Sequence, residues 1–305
     1  MQQVAVIGAG TMGRGIALAF AMARCSVQLV DVSVDFLRTA ESRLSADLRS
    51  IEAASAVLDR VSYTTSVKQA VANADLVVES VPEDLALKRE VWASLGAAAG
   101  AETVLATNTS SFDVALLAAL VPHPERVLGL HWFNPAHLVP CVEIVRAPST
   151  AEKVLLDIER LLIDMGKKPA VVRSTPGFVA NRIQMAMAAE AFRCLEEGVA
   201  SAEAIDDIVR HSLGFRLVDL GPLAIADLAG MDVYDAIYGY LTQTLGDRFT
   251  TPATVKELVQ QGHLGVKAGR GVYGYSPDEA DAMVRRRDRG FARRARAAAG
   301  AEARA

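Results

Sequence analysis

The chain holds 305 residues, 51% of them hydrophobic, and carries a formal net charge of −4. That length suits one large domain or two ordinary ones with a sizeable core, and the charge leaves no overall basic field for nucleic acid. No window reaches the roughly 18 uninterrupted apolar residues that span a bilayer, so no membrane partner is expected. Met1-Gln2-Gln3 runs into apolar residues without the basic leader of a secretory signal. Three cysteines, Cys25, Cys141 and Cys194, form no Cys-x-x-Cys pair. The odd count speaks against a disulfide framework and a zinc site. They read as small buried apolar residues of a reducing, cytoplasmic compartment, with no metal.

The first apolar run, Val4–Ile7, leads into Gly8-Ala9-Gly10-Thr11-Met12-Gly13, a G-x-G-x-x-G hexamer that opens a helix over Arg14–Arg24. Gly-rich hexamers arise by chance, but strand before and helix after is the context a dinucleotide requires. Gly8 permits the tight turn, Gly10 admits a pyrophosphate against the backbone, and Gly13 lets helix and strand close up. The helix start then offers free N–H groups to phosphates. The next run, Val27–Val30, ends in Asp31. A carboxylate there accepts both adenosine-ribose hydroxyls and repels a 2′-phosphate, favouring NAD over NADP. The alternative for Asp31 is an acid at a helix N-terminus.

Further runs follow at Leu76–Val78, Val104–Ala106 and Val127–Leu130, with amphipathic stretches at Asp84–Ala99 and Ser111–Leu120. This rhythm predicts an α/β fold of the Rossmann type, a doubly wound, mostly parallel sheet covered on both faces. Pro140–Arg146 and Pro169–Val172 add two strands. After Thr175-Pro176-Gly177 no clear strand appears, and Phe178–Glu197, Ala202–His211, Ala224–Leu245 and Thr254–Gln261 read as helices. The predicted organisation is a dinucleotide-binding domain over residues 1–175, an all-helical substrate and dimerisation domain over 176–285, and a basic tail over 286–305. The Arg-rich tail reads as a solvated helix fraying into the C-terminus, with an anion-holding role as the alternative.

Oxidation of an alcohol needs a group that takes the hydroxyl proton as hydride departs, and histidine suits neutral pH. Of the five histidines, His131 alone ends a predicted strand, on the carboxyl edge where open α/β sheets bind ligands. Trp132-Phe133-Asn134-Pro135 then turns the chain. Glu143, inside the apolar run Cys141–Val145, is costly unless paired and would return beside His131. The alternative is an edge strand with Glu143 facing water. Thr107-Asn108-Thr109-Ser110-Ser111 lies at another strand end: Ser111 suits a cap for a helix beginning near Phe112, leaving Ser110 free for a substrate oxygen. Asn181 is a polar residue in an apolar stretch near the domain boundary, placed to face a cleft.

Together these residues resemble the L-3-hydroxyacyl-CoA dehydrogenase family, from the Gly motif to Leu264-Gly265-Val266-Lys267-Ala268-Gly269-Arg270-Gly271-Val272-Tyr273. The most specific piece is His131-Trp132-Phe133-Asn134-Pro135 with Glu143 twelve residues after the histidine. The resemblance implies NAD as cofactor, His131 as base in oxidation and acid in reduction, Glu143 as its partner, and Ser110 and Asn181 on the substrate's oxygens. It sets Glu83 and Lys88 near the nicotinamide half of the cofactor, with Asn108 and Asn134 also on the cofactor side; read without it, Glu83 and Lys88 look like a surface pair on a helix. It also implies a homodimer through the helical domain and a small acyl substrate, thioester-linked. Two features depart. Leu44–Leu58 contains one basic residue, Arg49, and no lysine, whereas relatives that use CoA place basic residues there. The stretch Asn181–Gly221 is also similar to the gulonate dehydrogenase and lambda-crystallin branch, which handles free hydroxy acids. A free 3-hydroxy acid or a carrier-protein-bound acyl group thus stands as the alternative substrate.

Overall fold

The computed structural model describes residues 1–302, so residues 303–305 at the end of the predicted tail lie outside the described part. Eight strands form one sheet: β1 (Gln3–Ile7), β2 (Ser26–Val30), β3 (Val61–Thr64), β4 (Leu76–Glu79), β5 (Val104–Thr107), β6 (Val127–Trp132), β7 (Cys141–Arg146) and β8 (Lys168–Arg173). Their spatial order is β3-β2-β1-β4-β5-β6-β7-β8. All neighbouring pairs are parallel except β6 with β7. The order reverses between β1 and β4, the position at which open α/β sheets form a crevice for a nucleotide.

Helices α1 (Thr11–Met22), α2 (Val34–Ser50), α3 (Val67–Val71), α4 (Leu85–Ala98), α5 (Val114–Ala118) and α6 (Glu152–Asp164) cover the sheet. One face packs Ile16, Phe20, Leu29, Leu44, Leu128 and Ile158. The other packs Val77, Trp92, Leu95, Leu105, Leu117 and Phe178. Two covered faces explain the unbroken apolar runs: every residue of β4, β5 and β6 is buried. Each such Leu, Val or Phe contributes about 1.5–3 kcal/mol on burial. Polar side chains start several of the helices. Ser33 caps α2 through Phe36 N–H, and Asp84 caps α4 through Leu87 N–H.

The structure corrects several expectations. Strand β3 carries no apolar run, because it lies at the sheet edge and only Val61 is buried. The helix expected from near Phe112 begins at Val114, and its cap is Asp113, which accepts from Ala115 N–H, not Ser111. The predicted single helix Ala224–Leu245 is two, α10 (Pro222–Ala229) and α11 (Met231–Leu245), following α7 (Ala180–Glu196), α8 (Ala202–Ile208) and α9 (Phe215–Leu217). They break at Gly230, whose φ of 107° only glycine adopts freely. Cys25 is buried, but Cys141 and Cys194 are only half-buried; all three are free thiols.

The chain forms two compact units, Met1–Ala188 and Ala189 onward, dividing within α7. In the second, α12 (Ala253–Gln260) and α13 (Pro277–Glu302) complete an all-helical set, with only isolated bridges at Gly265–Arg270 and Arg270–Gly274. Asp227 organises its Gly-rich segment. The carboxylate is fully buried and accepts from Val272 N–H, Tyr273 N–H and Tyr275 OH. A Cβ on Gly265 or Gly271 would run into that aspartate, which accounts for both glycines. The basic tail continues as α13. Arg294 there is not solvated but ion-paired with Asp219. No helix among the described residues is long and apolar enough to cross a membrane, and none of their acidic, His and Cys side chains group as a metal site.

Candidate active site

The turn from β1 into α1 is built around its glycines. Gly8 has φ 104°, and a Cβ there would lie 2.6 Å from the Ser80 carbonyl oxygen. A Cβ on Gly13 would strike the Gly8 carbonyl, so helix and turn touch backbone to backbone. Gly10 is the opposite case: a Cβ there meets nothing within 4 Å, leaving open space above the backbone with room for a phosphate. Thr11 is exposed and Met12 half-buried on the first turn of α1. Asp31 sits just past the end of β2 and is tied to this turn. One carboxylate oxygen accepts Ala9 N–H at 2.9 Å, the other Ser33 N–H at 3.1 Å. The cradle and the acid therefore share one edge, as the adenosine half of NAD requires.

His131 and Glu143 face each other directly in the β6–β7 register. His131 Nδ1 lies 2.7 Å from Glu143 Oε2, and the two residues are 4% and 3% exposed. Glu143 is thus paired in the interior, because β8 covers the far side of β7 and removes the edge position. Its other oxygen accepts Val179 N–H at 3.1 Å and Ala180 N–H at 3.0 Å, at the start of α7. Burial pushes the Glu143 carboxyl up, but the His131 hydrogen bond and the two backbone N–H groups outweigh it and hold the group below the usual carboxylate range. The imidazole is flanked by Phe133 and Phe178, with ring centres 4.7 and 5.5 Å away. These contacts fix the ring, and Glu143 fixes which nitrogen carries the proton.

The loops after β4 and β5 form a second polar cluster on the same carboxyl edge. Glu83 Oε1 accepts from the Thr109 hydroxyl, from Ser110 N–H at 3.0 Å, from Ser111 N–H at 3.1 Å and from the Ser111 hydroxyl at 2.8 Å. Burial opposes this ionised carboxylate, and those donors together with the Lys88 charge outweigh it, so its pKa is lowered. Lys88 overturns the surface-pair reading: it is 1% exposed, 2.7 Å from Glu79 and 3.3 Å from Glu83. Glu79, which the sequence reading passed over, has no exposed surface. Besides Lys88 it accepts from Val81 N–H, Trp92 Nε1 and the Thr107 hydroxyl. The signal was present: an acid closing an apolar strand, the same pattern that marked Asp31.

Asn108 spans two strand ends, donating to the Ser80 hydroxyl at 3.3 Å and accepting Trp132 N–H at 3.0 Å. Asn181 Nδ2 donates to the Ser110 carbonyl at 3.0 Å, so the structure brings these two together. Ser110 itself is half-buried, and Asn134 is exposed beyond His131.

Residues 3–175 match the 3-hydroxyacyl-CoA dehydrogenase NAD binding domain, and residues 177–275 match the C-terminal domain of the same family. The chain belongs to the 3-hydroxyacyl-CoA dehydrogenase family. Relatives include the 5-formyl-3-hydroxy-2-methylpyridine 4-carboxylate 5-dehydrogenase of Mesorhizobium japonicum, 34% identical with 95% of this chain and 96% of that one covered. A probable 3-hydroxybutyryl-CoA dehydrogenase of Bacillus subtilis is 36% identical over 90% of this chain and 98% of its own length. Among solved structures, a 3-hydroxyacyl-CoA dehydrogenase of Archaeoglobus fulgidus matches at a TM-score of 0.79 and 35% identity, over 95% of this chain and 97% of that one. As a member of this family the chain is an oxidoreductase acting on CH–OH, and its cofactor is NAD. The open Gly10 backbone and the Asp31 carboxylate fit that cofactor.

Proposed function

We propose that this chain interconverts a 3-hydroxyacyl thioester and the corresponding 3-oxoacyl thioester. The observation that carries the reading is the buried 2.7 Å contact between His131 Nδ1 and Glu143 Oε2. An ionised Glu143 only accepts, so Nδ1 bears the ring proton and Nε2 is free to act as base. In oxidation His131 Nε2 takes the proton of the 3-hydroxyl, and the resulting imidazolium is stabilised by Glu143. In reduction the same nitrogen returns the proton. When bound, NAD supplies the acceptor for the hydride that leaves carbon 3. The contact between Asn181 and Ser110 supports assigning both to the substrate's oxygens. Gly8, Gly10, Thr11, Met12, Gly13 and Asp31 serve the adenosine and pyrophosphate portion. Glu83, Asn108 and Asn134, on loops at the carboxyl edge, serve the nicotinamide portion, and Lys88, buried on α4, acts there through its ion pair with Glu83.

A second reading rests on a specific observation. Leu44–Leu58 offers Arg49 as its one basic residue for a CoA phosphate, and a relative is named for a pyridine carboxylate with no thioester. A free 3-hydroxy acid, or an acyl group on a carrier protein, is then the substrate. NADH consumption with acetoacetyl-CoA, its carrier-protein counterpart and free 3-oxo acids separates the readings. Turnover of free acids alone sinks the thioester assignment. His131→Ala should keep NAD affinity and lose about 100- to 10,000-fold in turnover; unchanged turnover removes His131 from the chemistry.

The same reading includes a homodimer. Phe192, Ile208 and Tyr240, on α7, α8 and α11, are each 60% exposed or more. Large apolar residues left exposed on helices mark an interaction face, and a second copy is the occupant. Light scattering giving a monomer mass at micromolar concentration would rule that out.

A further inference from the structure

Within the second compact unit, α13 turns an arginine ladder toward a cavity of about 720 Å³. Arg285, Arg286, Arg289 and Arg293 line it, together with Gly290 and Asp219. Arg285, Arg289 and Arg293 stand at i,i+4 spacing, where like charges destabilise a helix unless an anion lies between them. The one acid of the lining, Asp219, is already engaged by Arg294. Arg285 meets Asp281 at 3.6 Å on the open surface. Among the described residues Arg286, Arg289 and Arg293 form no ion pair. A Cβ on Gly290 would run into Asp219, so glycine lets the acid withdraw beside the helix and leaves the arginines facing the cavity.

A second cavity of about 510 Å³ adjoins the first, sharing Asp219, Ala282 and Arg286, and is lined by Tyr273, Leu220, Met283 and one further acid, Glu279, whose carboxylate accepts Ser276 N–H and the Ser276 hydroxyl. Tyr273 is 49% exposed and presents an aromatic face. One end of the groove is thus cationic and planar-donor rich, the other aromatic and apolar apart from Glu279. Guanidinium groups match phosphate oxygens in a bidentate manner, and an aromatic ring stacks on a base.

We propose that this groove is a nucleotide-phosphate site, separate from the NAD cradle, that takes an oligophosphate on Arg286, Arg289 and Arg293 and its base against Tyr273. The ligand is either a free nucleoside di- or triphosphate or the 3′-phosphorylated ADP end of CoA. The site makes no use of the His131 chemistry, so the substrate reading and this one fail independently.

Calorimetry on the full chain, with NAD filling one site per chain, tests it using ADP, inorganic pyrophosphate, adenosine and desulfo-CoA. ADP should bind, pyrophosphate more weakly and adenosine not at all, and added salt should weaken the binding. Arg286→Ala with Arg289→Ala should cost ADP at least about tenfold in affinity. Arg287→Ala, outside the lining, should cost nothing, and the melting temperatures of all three proteins report that they are folded. Tyr273→Ala should weaken ADP and leave pyrophosphate unchanged. Desulfo-CoA binding more tightly than ADP assigns the site to CoA, and equal affinities assign it to free nucleotides. Absence of ADP and desulfo-CoA binding, or equal ADP affinity in wild type and the double variant, overturns the proposal.

Discussion

Replacing Lys88 by methionine keeps the length of the side chain and removes its charge. In the folded chain Lys88 Nζ lies 2.7 Å from Glu79, and neither side chain exposes more than 1% of its surface. The variant therefore strands a carboxylate in the interior. Leaving one partner of a buried pair uncompensated costs about 3–5 kcal/mol. Glu79 keeps Val81 N–H at 2.8 Å, Trp92 Nε1 at 3.1 Å and the Thr107 hydroxyl at 2.8 Å, which argues for the lower end, about 3 kcal/mol. The lost Glu83 contact adds about 0–1 kcal/mol, because that carboxylate is 38% exposed. Urea unfolding followed by the emission of Trp92 and Trp132, both buried in this unit, reads the change directly. Adding Glu79→Gln to Lys88→Met removes the orphaned charge and should recover about half of the loss. The reasoning is refuted if Lys88→Met costs less than about 1 kcal/mol, or if the double variant is no more stable than the single one.

Gly13→Ala drives a methyl group into the Gly8 carbonyl; the turn must open, and NAD binding should be lost with a stability cost of about 1–3 kcal/mol, checked by fluorescence titration and thermal melting. Asp31→Ala removes the ribose acceptor and should weaken NAD about 10- to 100-fold while narrowing the preference over NADP; an unaltered ratio of the two affinities would count against the ribose contact. Glu143 has a folded pKa below its ordinary value of 4.5, so its stabilising contribution is complete above that pH and fades as pH falls through the folded value. Wild type should exceed Glu143→Gln by about 1.5–3 kcal/mol near neutrality, and the gap should close on acidification; a gap constant down to pH values well below 4.5 would contradict the assignment.

Periodicity revealed the strands that are buried on both faces, because burial demands unbroken apolar residues. It failed at Val61–Thr64, an edge strand in which Ser62 is exposed and Tyr63 and Thr64 are half-buried. The helix break at Gly230 escaped for a different reason. A glycine inside a helical pattern is tolerated, and nothing in the local sequence announces its φ of 107° or that a Cβ there would run into Asp232 and Lys267. At the site, His131 was legible because it ends a strand at the carboxyl edge of the sheet, and Glu143 because a carboxylate inside an apolar strand is expensive unless paired. Lys88 was not: it shares the buried face of α4 with Trp92 and Leu95, but a lysine at such a position reads as exposed, and the acid that draws it inside, Glu79, lies nine residues earlier on another element. The crosslink from Asn181 to Ser110 is likewise a product of tertiary packing across 71 residues.

The short passage between β8 and α7 is pinned at both ends. Ser174 joins Asp113 and Val114 N–H through its hydroxyl, and the N–H groups of Val179 and Ala180 grip Glu143. Between them Phe178 is held at φ 49° with its ring against the imidazole. This stretch works as a fixed-length gauge: adding or removing one residue would swing the two N–H groups off the carboxylate and loosen the imidazole without touching it.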